Sequence, residues 1–92
     1  MIKNKYKKVL NYNTSIKILK KLALDKDEEI RWGVARHPKT PLNVLKKLSK
    51  DKSWGVRFYL LENPNITKEI LKILSKDKHN RINITANKMY NL

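Results

Sequence analysis

Apolar residues recur along this chain at steps of three and four, with charged residues between them. Ile16, Leu19, Leu22 and Ala23, with Ile18 alongside, form one stripe; Leu42, Val44, Leu45 and Leu48 form a second; Ile70, Leu71 and Leu74 form a third. That spacing puts the apolar side chains on one face of a helix. A second set of stripes alternates with the first: Ile30, Val34 and Ala35, then Val56, Leu60 and Leu61, then Ile82 and Ala86, with Tyr6, Trp32 and Phe58 as an aromatic column beside them. The pattern predicts one helix after each of Thr14 or Ser15, Thr40 and Thr67, and a second helix over roughly 28–36, 54–61 and 80–90.

The alternation has a fixed period. Leu45-Lys46-Lys47-Leu48-Ser49-Lys50-Asp51-Lys52 has counterparts 26 residues earlier, from Leu19 to Lys26, and 26 residues later, from Leu71 to Lys78. Residues 14–39 match residues 40–65 at nine of 26 positions, and residues 40–65 match 66–91 at eight. A period of this length marks stacked supersecondary units, none of which buries its apolar face alone. The expected organisation is a single all-α domain, residues 1–92, with a half-repeat over 1–13 and repeats over 14–39, 40–65 and 66–92. In Thr40-Pro41 the hydroxyl is expected to cap the helix while Pro takes a position with no donor to lose. His37-Pro38 and Asn63-Pro64 read as connecting turns. Gly33 and Gly55, each costing about 1 kcal/mol relative to Ala in a helix, point to close packing of a neighbouring helix.

The run from Ala35 to Leu48, containing His37-Pro38-Lys39-Thr40-Pro41 and its spaced leucines, together with Asp51 to Val56-Arg57, resembles the leucine-rich repeat variant family and is similar to HEAT-like helical repeats. The likeness extends over residues 10–90. It implies short helices stacked into a right-handed α-solenoid. The iron–sulfur module of some members needs cysteines, and this chain has none. Asn83 stands in the column of Arg31 and Arg57, and Ile66 in that of Thr14 and Thr40, as suits a terminal unit.

Charge changes the picture from fold to partner. Twenty-two Lys and Arg against eight Asp and Glu leave a net +14, well beyond the magnitude of about 2 to 8 that solubility asks of a small domain. Such self-repulsion favours a polyanionic partner, with nucleic acid leading. Lys20, Lys46 and Lys72 form one column and Lys26, Lys52 and Lys78 another, joined by Lys21, Lys47, Lys50 and Lys76 and by a basic arm of Lys3, Lys5, Lys7 and Lys8. Lysine columns recognise backbone charge, whereas base readout favours Arg, Asn or Gln on one groove-fitting element. Duplex DNA bound with little sequence specificity is the expected partner; RNA and an acidic protein stay open. A single lysine in such a column is equally well explained as part of a solvated face. Arg31 and Arg57 follow Asp25 and Asp51 by six residues, which favours an internal salt-bridge ladder, as in HEAT-like repeats, over phosphate binding.

No residue set calls for catalysis, a metal, a cofactor or a small-molecule substrate. There is no Cys, His37 and His79 lack companions at ligand spacing, and Asp27-Glu28-Glu29 suits the dipole at a helix start. A glycosylase of the kind some HEAT-like proteins resemble would need an Asp beside exposed aromatics, for which Asp51 and Trp54 alone stand; for Trp54, covering a helix end is favoured over stacking on an unpaired base or wedging into a groove. No apolar run reaches the ~20 residues of a membrane span, and the N-terminus lacks the apolar stretch of a secretory signal, so a cytoplasmic, nucleoid-associated protein is expected. Ile82, Ile84, Met89, Tyr90 and Leu92 exceed what one terminal helix buries, and a homo-oligomer through this end would let the protein bridge or bend DNA as an architectural, chromatin-like component.

Overall fold

The computed structural model describes residues 4–92, and every regular element among them is helical. Seven α-helices follow in order: α1 (Asn4–Leu10), α2 (Ile16–Leu22), α3 (Glu28–Arg36), α4 (Leu42–Leu48), α5 (Trp54–Tyr59), α6 (Lys68–Leu74) and α7 (Asn80–Tyr90). The helix expected over 54–61 is divided, since α5 tightens into a 3-10 turn at Leu60–Glu62. Met1, Ile2 and Lys3, which belong to the expected half-repeat and basic arm, lie outside the described residues.

Helix starts follow the hydroxyl and Asx chemistry of the sequence, with one correction. Ser15, Asp27, Ser53 and Thr67 accept from backbone amides of α2, α3, α5 and α6 respectively. Thr14 and Thr40 do not cap. Their hydroxyls donate backwards, to the carbonyls of Lys8 and Val34, so each ties the connection to the preceding helix. Pro41 occupies the cap position of α4 without a side-chain hydrogen bond. The fixed φ of Pro is compatible with that entry, and neither residue supplies the cap that Ser15 and Thr67 supply elsewhere.

One side-chain arrangement recurs at the 26-residue period. Arg31 Nη1 donates to the Asp25 carbonyl at 2.8 Å, while its Nε and Nη2 reach the Asp51 carboxylate at 2.9 and 3.1 Å. Arg57 repeats this, with Nη1 on the Asp51 carbonyl at 2.7 Å and Nε and Nη2 on Asp77 at 2.7 and 3.3 Å. Each Asp also accepts from the amide two residues on, at 2.9 Å for Asp27, Ser53 and His79. The guanidinium fork thus spans two successive units and holds the turn geometry of both. Lys5 fills the first rung by pairing with Asp25 at 2.9 Å. Asn83 closes the last by donating to the Asp77 carbonyl at 2.9 Å. A second series runs through the connections: Asn11, His37 and Asn63 each accept from the amide two residues on. His37 Nε2 and Asn63 Nδ2 reach back to the carbonyls of Asn11 and of Ala35 and His37.

Apolar packing follows the same order. Helices α1, α3, α5 and α7 pack in succession, α2 lies against α1 and α3, α4 against α3, and α6 against α7. Four helices spaced 8–10 Å apart span roughly 30 Å between axes, in keeping with a molecule of 37 × 20 × 20 Å. The core takes every inward residue expected of the second helices, together with Leu19, Leu22, Val44, Leu45, Leu48, Ile70, Leu71 and Leu74. Ile16 and Leu42 remain exposed on the first turns of their helices. Both glycines sit at close approaches within the row: a Cβ on Gly33 would lie 2.6 Å from Val9, and one on Gly55 2.9 Å from Trp32 Nε1.

Asp51→Ala strands the buried Arg31 guanidinium, and a loss of about 3 kcal/mol is expected in urea denaturation; Lys5→Ala, at a rung whose lysine is largely solvated, loses under about 1 kcal/mol. Gly33→Ala lowers the melting temperature despite the better helix former, because β-branched Val9 cannot swing aside. The double variant with Val9→Ala is expected to be more stable than the sum of the two single changes.

Candidate nucleic-acid interface

The turns that follow α2, α4 and α6 bring several of the expected lysines together. Lys20 and Lys47 line one cleft of about 350 Å³ between α2 and α4, with Leu24 and Asp51 at its edge. Lys50, Lys52 and Lys78 line a second, of about 420 Å³, over the Arg57–Asp77 rung. Asp51 borders both, so the two form one basic edge centred on a carboxylate that Arg31 already occupies. Lys26 lies at the first rung beside Lys5. Lys21, Lys72 and Lys76 are exposed and line neither cleft. Lys46 is drawn away to Glu69 at 3.0 Å.

Internal pairing decides the electrostatics of this edge. Of the 22 Lys and Arg, Lys3 is outside the described residues and five form carboxylate ion pairs, namely Lys5, Arg31, Arg36, Lys46 and Arg57, which leaves sixteen with no carboxylate within 4.0 Å among the described residues. The Asp25 carboxyl is held below its ordinary 3.8 by the Asp27 amide and by Lys5. Burial alone would raise Asp77, but the Arg57 guanidinium and the His79 amide outweigh it and the carboxyl is held down. The Arg31 guanidinium is raised by its bond to Asp51. Three of the eight acids are thereby committed to the ladder.

A second feature lies next to the basic edge. Trp32 and Tyr59 meet at 5.2 Å between ring centroids, Tyr59 and Phe58 at 5.9 Å, Phe58 and Trp54 at 6.4 Å, and Trp54 stacks on His79 at 4.5 Å and 19°. Arg81 lies over Phe58 at 5.5 Å and Arg36 over Tyr59 at 5.3 Å, both within cation–π range. Trp32, Trp54, Phe58 and Tyr59 line a groove of about 490 Å³, with Glu28, Lys52 and Arg81 at its rim. Trp32 Nε1 is buried against Gly55 with no acceptor. Sequence reasoning singled out Trp54, and its exposure of 48% bears that out; it placed Trp32 and Phe58 beside the core and missed Tyr59 and Arg81. The only signal was the adjacent pair Phe58-Tyr59, one helical turn after Trp54.

Family models, curated proteins and solved structures all returned no match, and the likeness to leucine-rich repeat variants rests on the residues quoted above. Asp51 faces Arg31 and does not line the aromatic groove, so the pair Asp51 and Trp54 is not brought together for glycosylase chemistry. No metal-ligating group of His, Asp and Glu occurs among the described residues, and no described helix is long and apolar enough to cross a membrane. Ile82, expected both on the inward stripe of α7 and at a dimer interface, holds only the first place: it is fully buried in the chain's own core, where α7 meets α5 and α6. Ile84 and Leu92 are exposed, and Met89 and Tyr90 are half-buried against the core.

Folded Asp25 and Asp77 ionise more readily than the unfolded chain, whose ordinary value is 3.8, so their stabilisation is complete above about pH 5 and is lost as pH falls through the lowered folded values. The urea midpoint is expected to drop steeply below pH 4, and less steeply in Asp77→Asn.

Proposed function

We propose that this protein binds DNA through the phosphate backbone with little sequence specificity, on a short right-handed helical-repeat scaffold of the leucine-rich repeat variant kind. The observation that carries this reading is the surplus of sixteen uncommitted cations, of which Lys20, Lys47, Lys50, Lys52 and Lys78 line adjoining clefts. Three of the eight acids are bound inside the ladder by other cations, and Glu62 and Glu69 pair with Arg36 and Lys46. A phosphate backbone entering the clefts meets ammonium groups already concentrated at one edge, and binding is driven by release of its condensed counterions. Recurrence of the Arg–Asp rungs at the sequence period supports the repeat-built scaffold.

Bridging or bending of DNA by a homo-oligomer is the architectural form of this proposal. Its contact surface is Ile84 and Leu92, with Met89 and Tyr90, since Ile82 is buried. A monomeric mass in light scattering at micromolar concentration removes it.

Five to nine lysine contacts give an expected log–log salt slope of about −4 to −8 for duplex DNA in gel-shift titrations. Lys47→Ala and Lys50→Ala should each reduce the magnitude of the slope by about 1 and leave stability within about 0.5 kcal/mol. A slope near zero overturns the proposal. Preferential competition by structured RNA transfers it to RNA, and a nuclease-resistant one-to-one complex with an acidic protein replaces it.

A further inference from the structure

The aromatic groove is separate from the phosphate-facing edge yet touches it. Lys52 lines both, so a backbone lying along Lys50, Lys52 and Lys78 passes the mouth of the groove. We propose that the groove is a stacking site for an unpaired base of single-stranded nucleic acid, with Trp54 as its principal platform. This rests on the nucleic-acid reading above and names the form of ligand that this face takes.

The argument is one of shape, charge and rigidity. A volume of about 490 Å³ falls in the range of about 300 to 1,000 Å³ that small-molecule sites occupy. Its aromatic walls suit a planar π-face, and such stacking tolerates any base. In an intact duplex those faces are covered by neighbouring base pairs, so only an unpaired base can enter. The cations Lys52 and Arg81 at the rim oppose a cationic guest and favour a phosphodiester on their side. Glu28, whose Oε1 accepts from Ser53 Oγ at 3.1 Å, repels phosphate, while Lys52 and Arg81 attract it.

The platform is set in place before any ligand arrives. His79 covers one face of the Trp54 indole, and Phe58 abuts it edge-on. Gly55, with no side chain to hold α5 away from α3, lets Trp32 and Tyr59 close the far wall. Little side-chain ordering is left for binding to impose.

Oligomers of equal phosphate count, with and without bases, separate stacking from charge. Fluorescence anisotropy with labelled oligodeoxythymidine or oligouridine is expected to show affinity roughly five- to a hundredfold above an abasic oligomer of the same length. The base-bearing strand alone should quench tryptophan emission. Trp54→Ala removes the difference and leaves abasic affinity unchanged, while Trp54→Phe keeps most of it. Should Trp54→Ala fail to fold, as Trp32 emission would report, the quenching of the wild-type protein still decides the matter. Equal binding and equal quenching by the two oligomers overturn the stacking site but leave the phosphate reading standing. Absence of binding by either oligomer also overturns the stacking site, while the phosphate reading stands or falls separately on the duplex gel shift.

Discussion

Each buried arginine belongs to two units at once. Arg31 fixes the turn after α2 through the Asp25 carbonyl and the turn after α4 through the Asp51 carboxylate, and Arg57 does the same one step along. Hydrophobic contact between helices is non-directional and tolerates sliding, whereas a guanidinium fork in a carboxylate admits one register. The register of α3 and α5 against the turns that follow α4 and α6 therefore depends on this one bond type. The rungs are nearly dry, with side-chain exposures of 7 to 11% for the two Arg–Asp pairs. Deleting one partner there is far more damaging than its net contribution suggests.

Much of this was legible in the sequence. The 26-residue period, the alternation of helices and almost all of the inward residues follow from apolar spacing, because burial selects the same columns in every unit. Three things were not. An Arg six residues after one Asp is also twenty before the next, and linear spacing cannot tell which carboxylate it takes; tertiary packing decides that. A Thr before a helix reads as a cap, but Thr14 and Thr40 have a nearer acceptor in a carbonyl of the preceding helix. Ile82 counts as surplus only if α7 meets one neighbour, and α7 packs on both α5 and α6.

Of the candidate site, the lysine columns were visible and their selection was not. Lys46 shares a column with Lys20 and Lys72, yet Glu69, standing where Asn43 and Lys17 stand in other units, withdraws it. The aromatic groove depends on side chains from α3, α5 and the start of α7 whose convergence no single segment announces. His37, which looked isolated, is a rung of the second series. A histidine and an asparagine can exchange there because each offers one acceptor to its own turn and one donor to the previous unit.

The two ends of the ladder are unlike. At one, a flexible ammonium with more than half its surface in water stands in for a guanidinium; at the other, a neutral amide seals a carbonyl and asks for no further carboxylate. Dissolved salt screens the first of these closures and hardly touches the second, so the two termini of the ladder differ in their response to ionic strength.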